Sequence, residues 1–306
     1  MTATITPSTA DGAADSRHGR TPGRPNGAAQ RRRPKVTAGG MASSAFLWLY
    51  AAISIAPLLL MVSNSLRTTQ DMATDPLGLP LPPDFTSYQK AWITASFDTY
   101  FFNSIFVTVA SVLLSTVVSL LAAYAFARTK SRLFTALEGL FLSGLMLPVY
   151  LAILPLFFLL EAAGMISNLW GLILVYGALG IPFSTFVLAS FFRQLPIELD
   201  EAARLDGAGP FQTFWRVHLP LVKPAIATVV VFRFVPVWND FFYPLILIRD
   251  QDAYTLPVGI TRFFGEYQTD WATLFAGLTL ATIPLVVLFL LATKQIVSGL
   301  TAGMSK

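Results

Sequence analysis

Six apolar stretches, at roughly 42–66, 99–127, 133–160, 169–192, 220–248 and 271–293, constrain this chain more than any other feature. A bilayer core about 30 Å thick takes about 20 residues of helix to cross. Backbone in lipid must also satisfy its own hydrogen bonds, which leaves helices or closed barrels as the spanning forms. The pattern therefore predicts an all-α polytopic membrane protein with six transmembrane helices. Composition agrees, because 54% of the 306 residues are hydrophobic and only 12% are charged, about half the charge of a soluble domain. The fifth stretch is the least regular and holds Arg233, Asn239 and Asp240. All but the second contain proline (Pro57, Pro148, Pro155, Pro182, Pro224, Pro236, Pro244, Pro284). Bundled membrane helices tolerate proline because neighbours satisfy the freed carbonyls, and the kinks are suited to shaping a cavity.

Sidedness follows from the basic residues. Sixteen Lys and Arg residues lie in the N-terminal tail, the second-to-third and fourth-to-fifth connections and the C-terminal end; four lie on the other side, and Arg233 is inside a span. By the positive-inside rule both termini, and the loop between the fourth and fifth spans, are predicted to be cytoplasmic. Residues 1–40 are rich in Ala, Gly, Pro, Thr and Arg, with Arg31-Arg32-Arg33-Pro34-Lys35 near the end. Such a stretch cannot bury a core and is predicted to be a disordered basic tail. The run from Met41 to Leu66 carries no charge. It exceeds the apolar region of a secretory signal and reads as an uncleaved first span.

The fourth-to-fifth loop carries most of the functional information. It reads E-A-A-R-L-D-G-A-G-P-F-Q-T-F-W-R-V-H-L-P from Glu201 to Pro220. Pro196 suits a first helical position, and Asp200 with Arg204 has the spacing of an acid-to-base pair on one helix face. Glu198, Asp200 and Glu201 fall where carboxylates complement the helix dipole. Gly207 is placed to end that helix in the left-handed conformation, and Pro210 to open a second short helix. Ala202, Ala203, Gly207, Ala208 and Gly209 present small surfaces for close packing by another protein, and Leu219-Pro220 turns the chain back into the bilayer. His218 reads as an interfacial loop residue.

These residues resemble the EAA loop of permease subunits in binding-protein-dependent ABC importers. The pattern is Glu201-Ala202-Ala203, three residues, Gly207, nine residues, then Val217-His218-Leu219-Pro220, with Val217 at the place of the commoner Ile. The similarity extends to Tyr100 with Asn103-Ser104, Leu154-Pro155-Leu156, Asn168 to Tyr176, Pro182-Phe183 and Phe191 to Pro196. Trp238 to Leu245, Tyr254 to Gly259 and Gly299 to Gly303 resemble the carbohydrate-importing branch, and within it the smaller permease of the maltose-type transporter.

The resemblance implies the type I importer permease fold over 41–306, with the coupling loop at about 193–220, as a multi-pass protein of the bacterial inner membrane. It implies that Glu201, Ala202, Ala203, Asp206, Gly207, Ala208, Leu219 and Pro220 dock on an ATPase. Its implied partners are a second homologous permease, an ATP-binding cassette dimer, an extracellular solute-binding protein and a di- or oligosaccharide; glycerol phosphate or a polyamine is the alternative cargo. Arg233, Trp238, Asn239 and Asp240 are candidates for the translocation path. Arg233 and Asp240, seven residues apart on one face, are candidates to pair directly or through water. The chain departs from the family at Arg233, where the family is apolar or mildly polar, and at its Gly303-Met304-Ser305-Lys306 end.

Rival functions find little support in the residues. The two histidines, His18 and His218, lie outside the spans, so none is placed to activate a membrane serine. There is no H-E-x-x-H and no P-loop, so ATP must be hydrolysed by a partner. With no cysteine, disulfides and thiolate metal sites are excluded. No metal, cofactor or nucleic acid is expected. A secondary transporter usually carries several intramembrane ionisable groups, whereas the firm cases here are Arg233 and Asp240.

Overall fold

A computed structural model describes residues 38–94, 96–261 and 270–302. Most of the expected tail (1–37), Arg262 and the last four residues lie outside them. The described residues are helical and contain no strand. The chain divides into two compact units, residues 1–51 and 52–306. In the first, the described residues form the opening half of helix α1 (Ala38–Ser65).

The second unit holds the rest of α1, followed by the short helices α2 (Thr69–Thr74) and α3 (Thr86–Gln89) and the long α4 (Phe97–Arg128). Next come α5 (Arg132–Ser143), α6 (Ile153–Ala162) and α7 (Leu169–Gln194). The polar loop forms α8 (Glu198–Leu205), α9 (Pro210–Thr213) and α10 (Leu219–Leu221). The remainder is α11 (Lys223–Asn239), α12 (Phe242–Leu247), α13 (Leu256–Thr261) and α14 (Trp271–Ala302).

Among the described residues four helices are long and apolar enough to cross a membrane, or up to six if each of two bent pairs is one span. The expected third span is broken. Arg132–Met146 and Val149–Ala162 meet at 98°, because Pro148 forces Leu147 out of helical geometry (φ −80°, ψ 129°). The expected fifth span is corrected at both ends. Its straight part begins at Lys223, after a 73° bend from the segment Pro210–Leu221, and stops at Asn239. Pro244 cannot donate to the carbonyl of Asp240 four residues earlier, so the helix restarts as α12.

Helices α4 and α7 form the spine of the second unit. The buried face of α4 is a row of small hydroxyl residues, Ser104, Thr108, Ser111, Ser115 and Ser119, at the spacing of one helix face. Small side chains let membrane helices approach closely where there is no hydrophobic drive between them. Ser119 Oγ donates to the Ile181 carbonyl of α7 (3.2 Å). One apolar cluster (Val107, Leu172, Tyr176, Val237, Tyr243, Leu247) lies toward one end of this spine. A second (Ala123, Leu188, Phe192, Phe214, Val222, Val229) lies at the end that carries the polar loop.

Two motifs read separately in the sequence meet in space. Asn103 Nδ2 donates to the carbonyls of Asp252 (2.8 Å) and Tyr254 (3.0 Å), and Leu256 N donates to Ser104 Oγ (2.7 Å). At the start of α14, Asp270 Oδ1 accepts from Thr69 Oγ1 and from Thr273 N, each at 3.1 Å, and Lys90 Nζ lies 3.6 Å from Oδ2. Burial alone would raise this carboxyl, but the hydrogen bonds of Thr273 and Thr69 and the Lys90 charge hold it below the usual carboxylate range.

Candidate functional site

The polar loop folds largely as its local signals dictate. Helix α8 carries Glu198, Asp200 and Glu201 in its first turn and Arg204 in its last. Gly207 ends it with φ +78°, the left-handed region that glycine enters without penalty. Pro210 opens α9 at its first position. Pro196 differs from expectation: it precedes α8, and its carbonyl accepts from Leu199 N at 3.4 Å.

Charge pairing inside the loop also differs from the sequence reading. Asp200 does not pair with Arg204; it turns inward to the end of α4. Arg128 Nε lies 3.2 Å from Asp200 Oδ2, with both side chains 14% exposed. His218 Nε2 donates to Asp200 Oδ1 at 2.8 Å. The His218 side chain is fully buried, so it is a core residue of the loop rather than an interfacial one. Its ring packs on Tyr124 and Phe192, with centroids 5.2 and 6.2 Å away. Arg128 Nη2 also donates to the Leu195 carbonyl (3.1 Å). One carboxylate thus ties the start of α8, the segment before α10 and the end of α4 together. Beside it lies a cleft of about 280 Å³ between Tyr124, Arg128 and Thr129 on one side and Glu201, Arg204 and Pro210 on the other.

The expected docking residues divide by exposure. Glu201, Ala202, Asp206 and Gly207 are exposed, with Pro220, while Ala208 and Leu219 are half-buried. Ala203 is mostly buried against its own chain, and Ala208 N donates to its carbonyl at 2.8 Å. Sequence reasoning missed the apolar side chains that the loop holds out. Leu205 is 89% exposed and Phe211 72%, and Phe211 rests on half-exposed Trp215 with centroids 6.0 Å apart. Large apolar residues inside a charged loop were a signal available in the sequence.

The four candidates for a translocation path do not form one site. Trp238 is buried, its Nε1 donates to the Ala281 carbonyl (3.2 Å), and its ring stacks on Phe234. With exposed Asn239 it lines a cleft of about 310 Å³ against Leu256, Leu278 and Leu285. Arg233 points elsewhere, between α4 and α7. A Cβ built on Gly180 would meet Ser115 Cβ at 2.8 Å and Arg233 Nε at 2.9 Å. Arg233 Nη2 donates to the Tyr176 carbonyl (3.4 Å), while its buried Nε has no hydrogen-bond partner among the described residues.

Arg233 and Asp240 form no ion pair among the described residues, contrary to the pairing considered from sequence. Asp240 instead accepts from Tyr176 OH at 2.7 Å and from Phe242 N at 3.2 Å, with Tyr150 OH 3.5 Å away. The geometry rewards tyrosines from α7 and from the break after Pro148, neither of which the α11 sequence could nominate.

Residues 115–301 match the family model of the binding-protein-dependent transport system inner membrane component. The chain belongs to this family. Among relatives, the permease is 35% identical over 263 residues to the diacetylchitobiose uptake system permease protein NgcG of Streptomyces coelicolor, covering 85% of this chain and 87% of the relative. It is 32% identical over 259 residues to the melibiose/raffinose/stachyose import permease protein MelC of Bacillus subtilis, covering 84% and 94%. In fold, the permease resembles a chain of a bacterial ABC transporter involved in import of the acidic polysaccharide alginate. The TM-score is 0.74 at 23% identity, covering 86% of this permease and 98% of that chain. This multi-pass inner-membrane protein is therefore a transport permease, with sugar permeases as its relatives.

Proposed function

We propose that this permease forms half of the translocation pathway of an ATP-driven importer for a di- or oligosaccharide. A second homologous permease supplies the other half, a pair of ATP-binding cassette subunits hydrolyses ATP, and an extracellular solute-binding protein delivers the sugar. In this reading both termini and the α8–α10 loop face the cytoplasm, which the sixteen-to-four distribution of basic residues supports. The observation that carries the reading is the construction of that loop: exposed Glu201, Ala202, Gly207, Leu205 and Phe211 stand on a base locked to α4 by Arg128, Asp200 and His218. A surface that transmits force to transmembrane helices needs exposed contacts on a stiff base. The sugar assignment draws on the cargo that the relatives are named for.

The test is co-purification and uptake. The tagged permease, expressed with its neighbouring genes, should bring down a second permease and an ATPase. Vesicles of the complex with its binding protein should take up labelled diacetylchitobiose, melibiose or raffinose in an ATP-dependent way. Purification alone, or uptake confined to amino acids or polyamines, would refute the reading.

A further inference from the structure

Two helix breaks converge on one patch of this permease, and both lie far from the ends that carry Arg132 and Lys223. The helical run Arg132–Met146 rises roughly 22 Å and the 17 residues of α11 roughly 25 Å. Within a core about 30 Å thick, the breaks at Pro148 and Asp240 thus sit at similar depth, in the half away from the polar loop. They are joined directly, since Tyr243 OH donates to the Val149 carbonyl at 2.6 Å. Interrupted helices at membrane depth are tolerated where they are covered by protein or line a wet cavity, and discontinuous helices commonly build transporter binding sites.

The side chains at this junction have a recognisable chemistry. Tyr150 is 57% exposed and Phe242 52%, and their rings meet edge to face with centroids 5.4 Å apart. Beside them, half-buried Asp240 is oriented by Tyr176 OH and Phe242 N, with Tyr150 OH 3.5 Å away. A carboxylate offers about four lone-pair positions, so accepting capacity remains on the exposed side. An ionisable group beside a break is too costly to leave in lipid and faces protein or water.

We propose that Tyr150, Asp240 and Phe242 form a sugar-ring subsite that this permease contributes to the path, an inference that rests on the carbohydrate-import reading above. The aromatic faces take the C–H face of a pyranose, and Asp240 accepts a hydrogen bond from a ring hydroxyl. Tyr176, buried beneath, is a positioning residue that holds the carboxylate. Trp238 lies on the other side of α11 and takes no part.

The experiment uses the whole reconstituted complex with its binding protein and whichever sugar of the diacetylchitobiose, melibiose and raffinose panel the wild type takes up. Asp240→Asn should raise the transport KM about tenfold, the worth of one hydrogen bond to a charged group. Tyr150→Ala should raise it by about the same factor through loss of the ring's contact area. Assembly and binding-protein-stimulated ATPase should persist. Tyr150→Phe keeps the ring and should change KM less than threefold. Unchanged KM in both Asp240→Asn and Tyr150→Ala would overturn the subsite while leaving sugar import standing. So would loss of uptake that tracks loss of assembly in all three variants. Failure of the wild type to take up any sugar of the panel would overturn the import reading and the subsite with it.

Discussion

Replacing Asp200 with Asn removes one charge from the base of the coupling loop at nearly constant volume. At about 4 Å and an effective dielectric near 20, a unit pair is worth about 4 kcal/mol before desolvation. The Arg128–Asp200 pair, at 3.2 Å with both side chains 14% exposed, falls in that regime. Desolvation takes back part of this, and Arg128 retains its bond to the Leu195 carbonyl. The hydrogen bond from His218 Nε2 to an ionised acceptor is worth about 1.5–3 kcal/mol and weakens when the acceptor becomes an amide. A net loss of about 2–3 kcal/mol follows, and at 1.4 kcal/mol per tenfold the detached state of α8 becomes on the order of 100-fold more populated. Hydrogen exchange should report this at the amides of Asp206 and Ala208, which bond to Ala202 and Ala203 at 3.0 and 2.8 Å. In vesicles, sugar moved per ATP should fall more than ATPase activity. Unchanged exchange across 198–208 with unchanged coupling would refute the idea that this carboxylate anchors the loop.

Gly207→Val places a β-branched side chain at φ +78°, where a Cβ meets nothing within 4 Å of its own chain. The penalty is thus about 1–2 kcal/mol of backbone strain plus any clash with the ATPase, and the variant should lose ATPase co-purification at normal membrane levels; full association and transport would sink the docking role. Arg233→Met removes a half-buried cation whose Nε has no hydrogen-bond partner among the described residues and whose Nη2 makes one long bond, to the Tyr176 carbonyl, so assembly should persist while transport falls. Arg233 and Asp240 share Tyr176 as a partner, through its carbonyl and its hydroxyl, so the effect of the double variant with Asp240→Asn should depart from the sum of the two; wild-type transport in Arg233→Met would refute an interior role. Asp270→Asn tests the tie of Thr69, Lys90 and α14. Because its folded pKa is lowered, the wild-type contribution is complete above the unfolded value of about 3.9 and fades as pH falls through the folded value. Thermal melts of wild type and variant should therefore differ by a constant amount at pH 5–8 and converge only in stronger acid; equal melts at pH 7 would refute the tie.

Local chemistry in the sequence was enough for much of this protein. Apolar runs of spanning length specify membrane helices because lipid offers the backbone no partner. Gly207 and Pro210 mark the end of one loop helix and the start of the next because one tolerates positive φ and the other lacks only an N–H that a helix start does not use. The breaks at Pro148 and Pro244 in the third and fifth spans were not legible in the same way, because Pro57, Pro182, Pro236 and Pro284 lie inside unbroken helices, and proline alone does not say whether neighbours will satisfy the freed carbonyls. The partners that side chains choose across helices were not legible. Spacing puts Asp200 and Arg204 on one face, and Arg233 and Asp240 on another, but it cannot say what stands opposite. The packing of α4 on α7 brings Arg128 to Asp200, and the α8–α10 turn buries His218 beneath it. The junction of the two broken spans brings Tyr176 and Tyr150 to Asp240 from 64 and 90 positions away. Trp238 and Asp240, two residues apart, consequently serve opposite sides of one helix end. Only tertiary structure could decide this, because each contact depends on the rotation of one helix against another, which packing sets and sequence spacing does not.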